Sequence, residues 1–329
     1  MLRHRNEYPV EGQLPSFTGA TAWLNSGPLT TDALHGRVAL VNFGTYTCIN
    51  WIRSLPYVRA WAHKYASQGL AVIGAQTPEF DFEKGLDGVR VALKQMNVGY
   101  PVAVDNDYAV WRAFDNHYWP ALYFIDAQAQ IRHHRFGEGD YEESERVLQM
   151  LLAEAGVHEF DRSLVRLDPE GVELPADWDH LGSPENYVGY ERTQGFASPG
   201  GPVPDLRHRY ATPSSLRRNQ WALSGDWQMG PVATVLEEPG GAIACAFHAR
   251  DLHLVMRPAV TGTSVAFRVR IDGQPPGPAH GLDVDQSGDG IVSDQRLYQL
   301  VRQEGPIVDR RFDIEFFDAG LEAFVFTFG

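Results

Sequence analysis

Between residues 38 and 155 the apolar positions come in short unbroken runs, separated by stretches with helical spacing. Val38-Ala-Leu-Val-Asn-Phe43 and Leu70-Ala-Val-Ile-Gly-Ala75 are runs of the kind that form buried parallel strands. From Trp51 to Ser67 the residues Leu55, Val58, Trp61, Ala62 and Tyr65 share one stripe, which predicts a helix with Pro56 as a kink. Leu86 to Met96 repeats the helical pattern through Val89, Leu93 and Met96, and Pro101-Val-Ala-Val104 reads as a strand. Tyr108 to Phe114 predicts a short helix and Ala121-Leu-Tyr-Phe-Ile125 another strand, which Asp126-Ala-Gln-Ala129 turns back into Ile131–Phe136. Glu142 to Ala155 closes the segment with a helix whose apolar face is Val147, Leu148, Leu151 and Leu152. That order predicts an α/β domain over 1–156, a mixed sheet with helices on both faces. Residues 8–37 are expected to add a β-hairpin at the sheet edge.

Beyond Val157 the pattern changes. Residues 157–205 are rich in Pro, Gly, Asp and Glu with little periodicity, and read as a linker and irregular lead-in. Over 206–329 the period is two: Val265, Phe267, Val269 and Ile271 share a face, as do Phe312, Ile314 and Phe316, and then Phe324, Phe326 and Phe328. Alternation with turns at short intervals predicts an all-β sandwich or jelly-roll domain.

The 329 residues carry 28 Lys and Arg against 42 Asp and Glu, a formal charge of −14. Such a surface repels phosphate backbones and anionic headgroups, so neither nucleic acid nor a membrane is expected as a partner. Two cysteines, Cys48 and Cys245, are too few for a disulfide framework. The polar opening Met1-Leu-Arg-His-Arg-Asn-Glu-Tyr-Pro9 does not read as a secretory signal. A cytoplasmic location is therefore expected, with an extracytoplasmic one the alternative if the chain is trimmed from a longer exported protein. No cofactor is implied. Asp283-Val-Asp-Gln-Ser-Gly-Asp-Gly-Ile-Val-Ser-Asp294 partly fits a calcium-loop spacing, but it lacks the final Glu and flanking helices and is better read as a Gly/Asp-rich turn. His133 and His134 alternate across a strand, a poor geometry for shared metal ligation, so no metal site is expected.

Chemistry concentrates in Val41-Asn-Phe-Gly-Thr-Tyr-Thr-Cys-Ile-Asn-Trp-Ile-Arg53, between the first buried strand and its helix. A cysteine at a helix start meets unpaired amide groups and the positive end of the dipole, both of which favour thiolate. Thr47 and Asn50 flank Cys48 in a polar turn, whereas Cys245 sits inside Ala-Ile-Ala-Cys-Ala-Phe and reads as core.

Tyr46-Thr-Cys-Ile-Asn50, Leu55-Pro-Tyr57, Thr77-Pro-Glu-Phe80, Asp105-Asn-Asp107, Tyr118-Trp-Pro120 and Phe136-Gly-Glu-Gly139 together resemble the TlpA/ResA-like thioredoxin family. Within it the similarity is to the DipZ-type members, which pair a thioredoxin domain with a carbohydrate-binding-module-like β-sandwich. The resemblance implies a thioredoxin fold with an insertion before the last hairpin. It also implies a cis-proline at Pro120 facing Cys48, an acid at Glu79 that takes or gives a proton, and a substrate-binding wall of Tyr46, Thr47, Trp51 and Trp119. The chain departs from the family where it matters most. Such proteins carry Cys-Ile-Asn-Cys and this one has Cys48-Ile-Asn-Trp51, so the thiol that resolves a mixed disulfide is missing. Gly44 replaces an aromatic common after Asn-Phe, which is expected to open space beside the site. For the β-domain the resemblance implies a glycan, with Tyr187, Tyr190, Trp221 and Trp227 available to stack on a sugar or, alternatively, to fill the core.

Two functions follow from different classes. One is a single-cysteine redox protein whose Cys48 thiolate reacts with a disulfide, peroxide or small thiol on a protein or small-molecule partner and is regenerated by an external thiol. The other is a catalytically silent scaffold in which Trp51 plugs the site and the β-domain engages a glycan or protein. The peroxidase variant of the first has half a motif behind it: Thr45 stands three before Cys48, as in peroxiredoxins, but Val41 occupies the proline position.

Overall fold

The structure is a computed structural model and describes residues 8–329. The chain divides into two units at Leu174/Pro175.

The first unit is built on a seven-stranded sheet. Its elements are β1 (Gly12–Gln13), β2 (Ala22–Leu24), β3 (Ala39–Gly44), α1 (Ile49–Lys64), β4 (Ala71–Gln76), α2 (Leu86–Gln95), β5 (Val102–Val104), α3 (Ala109–Ala113), β6 (Ala121–Ile125), β7 (Gln130–Phe136) and α4 (Tyr141–Glu154). The strand order is β1-β7-β6-β3-β4-β5-β2. β3, β4 and β5 run parallel, β6 is antiparallel to β3, and β7 pairs antiparallel with β6 in a hairpin on one side. Every residue of β3, β4 and β6 is buried, as unbroken apolar runs require of strands covered on both faces. The turn at 126–129 forms because Asp126 Oδ1 accepts the amides of Gln128 and Gln130, with Ala129 in the left-handed region at φ 58°.

Two expectations change here. Residues 8–37 do not form a hairpin: β1 pairs with β7 on one edge and β2 with β5 on the other. The segment between them carries Leu14 and Phe17 into the core, so its apolar side chains serve the whole width of the sheet. The second concerns 157–205, which is not a free linker. Val165 N donates to Glu145 Oε2 at 2.7 Å, and Arg59 of α1 holds Glu173 through two bonds of 2.7 and 2.8 Å, so the stretch to 174 packs back onto the first unit. The stretch from 175 joins the second unit, where Asn186–Tyr187 pairs with the last strand.

That second unit is one eleven-stranded antiparallel sheet curled on itself. Strand Trp221–Met229 makes the corner, pairing with Ala242–Phe247 through its first half and with Arg207–Tyr210 and Thr234–Leu236 through its second. The bend falls at Gly225, with φ 93°, where a Cβ would stand 2.7 Å from Gly241 Cα. Curling brings Phe312 against Phe326 and Phe247 against Phe328, closing a core with Trp221 and Trp227 at its centre.

Candidate active site

β3 ends at Gly44, and Thr45–Thr47 form the turn into α1, fastened by Cys48 N–H donating to Thr45 O at 3.1 Å. Cys48 is the N-cap residue of α1, with φ −78° and ψ 112°, and is half-buried. The helix begins two residues before the apolar stripe that predicted it, which puts the sulfur at the helix boundary itself. Its side chain makes no capping bond to the helix amides. Instead Sγ lies 3.9 Å from Trp119 O, within reach of an S–H···O=C bond. The Trp119–Pro120 peptide is cis, so the geometry brings Cys48, Trp119 and Pro120 together.

Trp51 stands three residues beyond Cys48 in α1. Its indole lies over the backbone of Gly44, where an added Cβ would stand only 1.9 Å from the ring's Cδ1 and 2.3 Å from Cγ. The space that a glycine at 44 was expected to leave open is therefore filled by the ring at 51, which is 4% exposed. The indole Nε1–H is buried there and has no hydrogen-bond partner among the described residues, so packing rather than polar contact holds the ring. Tyr46 and Thr47 are buried, Tyr46 in edge contact with Phe82.

An acid that hydrogen-bonds the cysteine turn is Glu83, which the sequence did not single out. Glu79 is half-buried, and its backbone N–H donates to Glu83 Oε2 at 2.5 Å. Glu83, in the single turn Asp81–Lys84, is wholly buried and accepts Thr47 Oγ1–H at 2.5 Å and Phe80 N–H at 3.0 Å. Burial pushes its carboxyl up to about 7, against the opposing hydrogen bonds from Thr45, Thr47 and Phe80. In the sequence only its place gives it away, an acid following two aromatics in Phe80-Asp-Phe-Glu83.

Two further supports were visible only as strings. Asp105 accepts the amides of Val110 and Trp111 at 2.9 and 2.8 Å and the Thr77 hydroxyl at 3.2 Å, which anchors α3. Trp111 then packs on Trp119 at 4.3 Å between ring centroids, and Trp119 Nε1–H donates to Thr77 O. In Phe136-Gly-Glu-Gly139, Gly137 N–H donates to Pro120 O at 2.9 Å, and Glu138 reaches Arg53 of α1 at 3.2 Å in a pair 5% and 2% exposed. Burial raises the Glu138 carboxyl, and Arg53 works against that rise.

Cys245 is fully buried on its strand, and burial pushes its thiol far up. The four aromatic candidates for a sugar site are engaged elsewhere. Trp221 and Trp227 are core, the Arg192 guanidinium covers the Tyr187 ring at 3.4 Å, and Tyr190 packs against the core with its hydroxyl on Asp205. In the acidic turn, Asp283 holds Arg296, Asp289 holds Arg268, and Asp285 accepts the amides of Ser287 and Asp289. The turn reading accounts for that string.

The curated thiol-disulfide oxidoreductase YkuV of Bacillus subtilis is 30% identical over 142 residues, covering 43% of this chain and 95% of that protein. The chain belongs to the thioredoxin-like thiol-disulfide oxidoreductase family. DipZ from Mycobacterium bovis and Mycobacterium tuberculosis is 33% identical over 324 residues, 97% of this chain. The chain spans 43% of the length of DipZ. Residues 183–329 match the family described as thioredoxin like C-terminal domain. The solution structure of a thioredoxin-like protein in its oxidized form is 29% identical, covering 44% of this chain and 96% of that one, with a TM-score of 0.41. In this family member the second thiol position is an indole packed on a glycine.

The pairing of Gly44 with Trp51 predicts a coupled double-mutant cycle. Trp51→Ala should cost about 3–5 kcal/mol and Gly44→Trp about 1–3 kcal/mol or more, whereas the double variant should recover at least about 1 kcal/mol of their sum in urea denaturation. Glu83 predicts a pH slope. Its folded-state value stands above the ordinary 4.5, so its contribution is fully present below about pH 4.5 and is lost as pH rises through about 7. Wild-type stability should fall by on the order of 3 kcal/mol across that window, and the fall should be absent from Glu83→Gln.

Proposed function

We propose that this protein is a single-thiol exchange centre. Cys48 as thiolate attacks one sulfur of a disulfide R–S–S–R′. The Cys48–S–S–R bond forms, the S–S bond of the substrate breaks, and R′–S⁻ leaves with the electron pair. In a two-cysteine relative the next thiol of the motif would then attack Cys48. Here that place holds an indole, so an external thiolate R″–S⁻ must attack the R sulfur and return Cys48 as the leaving thiolate. The observation that carries this reading is the combination at the head of α1: a half-exposed sulfur 3.9 Å from the carbonyl before the cis-proline, beside a fully packed Trp51.

Cys245 does not supply the second thiol. It is sealed in the core of the second unit between the strands of Trp221 and Phe312, and its ionisation is suppressed by burial. The partner is a protein or small molecule bearing a thiol or disulfide. The backbone at Trp119, with Tyr118 beside it 53% exposed, supports an extended segment as what approaches the sulfur.

The test is reduction of insulin by dithiothreitol together with alkylation of Cys48 in a Cys245→Ala background. Cys48 should alkylate readily while insulin turnover stays near the uncatalysed rate. Trp51→Cys combined with Gly44→Trp should raise turnover above that of Trp51→Cys alone, because the double variant keeps the slot filled. Strong turnover by the wild type would contradict the one-thiol reading, and a thiol inert at all pH values would favour a silent scaffold.

A further inference from the structure

Phe136-Gly-Glu-Gly139 ends β7 in a loop that turns a carboxylate inward. Gly137 and Gly139 lie in the left-handed region, at φ 78° and 98°, and the Glu138 side chain between them is 5% exposed. The Glu138 carbonyl is held by Arg135, whose Nη2 donates to it at 3.3 Å while Nη1 pairs with Asp140 at 2.9 Å. The Glu138 carboxylate is held by Arg53 Nη1 at 3.2 Å. Arg53 lies in the first half of α1, where Trp51 through Pro56 are buried without a break.

The pair is poorly built for stability. It makes one bond instead of a bidentate fork, and Arg53 Nε is buried with no hydrogen-bond partner among the described residues. A single contact repays weakly the removal of two charges from water, and packed apolar residues would serve stability as well. What the bond supplies is direction. It closes a ring of contacts that starts and ends at the sulfur. From Cys48 the helix runs to Arg53, Arg53 binds Glu138, and the neighbouring Gly137 N–H donates to Pro120 O at 2.9 Å. Pro120 follows Trp119, whose carbonyl meets Sγ at 3.9 Å. At the start of the same loop Phe136 supports the Tyr118 ring, 4.8 Å away between centroids and 53% exposed.

We propose that Glu138 and Arg53 are positioning residues of the exchange site. They set the gap between Cys48 and the 118–120 backbone, so that the disulfide of an extended peptide meets the sulfur in line. This rests on the exchange reading given above, and it names a peptide disulfide as the substrate class. A small disulfide needs only the thiolate, because it turns freely until its sulfur–sulfur axis points at Sγ. A peptide lying against Tyr118 and Trp119 cannot turn, so its sulfur arrives where the loop puts it. The pair therefore acts on the rate with a peptide and leaves the ionisation of the thiol to other groups.

The experiment uses the full chain with Cys245→Ala and two uncharged disulfides, with adduct formation followed by intact-protein mass spectrometry. One is bis(hydroxyethyl) disulfide, and the other a short uncharged peptide whose single cysteine is capped by mercaptoethanol. In each, the Cys48 thiolate attacks a sulfur, the new disulfide forms, and mercaptoethanol thiolate leaves with the electron pair. The ratio of the two rate constants cancels the thiolate fraction. Glu138→Gln should lower the ratio of peptide to small disulfide about tenfold, as a displacement of a fraction of an ångström does, and Arg53→Met should match it. A role confined to stability would shift the denaturation midpoint and leave the ratio in place, which overturns the proposal while the exchange reading stands. A wild-type thiol that reacts with neither disulfide overturns both. Where a single variant does not fold, Arg53→Met combined with Glu138→Leu carries the test, because it leaves no buried charge unpaired. That double variant should fold and keep the lowered ratio, and a ratio at the wild-type value overturns the proposal.

Discussion

One packing contact fills the place where a second thiol would stand: the Trp51 indole lying on the bare backbone of Gly44. The two positions face each other across the junction of β3 and α1, and only one of them can carry a ring. The resemblance that the sequence carries puts an aromatic at the strand position and a cysteine at the helix position. Here the ring stands on the helix and the strand position is glycine, so the volume is filled and position 51 carries no thiol. Interiors tolerate exchanges that conserve volume far better than losses. The site is therefore closely packed around a single sulfur.

The rest of the first unit serves to hold that sulfur between two loops. Asp105 fixes α3, α3 presents Trp111, and Trp111 stacks on Trp119, whose carbonyl meets Sγ. From the other side the loop after β7 binds Pro120 O and, through Glu138, the buried Arg53 of the cysteine helix. Glu83 completes the frame from below by tying Thr47 to the loop after β4. Each tie uses a buried charge or amide that would be costly to leave unpaired, which makes the arrangement specific as well as stable. Family membership follows from this half of the chain, and the sequence similarity to DipZ runs on through the second unit.

Much of this was readable in the sequence. Unbroken apolar runs located β3, β4 and β6, helical stripes located α1, α2 and α4, and period-two alternation announced the antiparallel second unit, because burial imposes those periods directly. The pairing of β1 and β2 with opposite sheet edges was not readable, since two- and three-residue strands carry no period. The burial of Glu83 was not readable, because it is decided by the single turn Asp81–Lys84 and a one-turn helix leaves no pattern. The exchange of ring between 44 and 51 was half legible: both departures stood out, but that one fills the space left by the other is a fact of three dimensions. For the aromatic residues of the second unit the sequence left open a sugar surface or the core, and Trp221 and Trp227 take the core, a choice composition cannot make.

The most direct measurement is intact-protein mass spectrometry after incubation of the native chain with excess glutathione disulfide, followed by removal of the reagent. A single-thiol site predicts one glutathione adduct, mapped to Cys48 and never to Cys245, that persists for as long as no thiol is added and disappears when one is. An unmodified chain, or an adduct that is lost spontaneously to an internal disulfide, would contradict it.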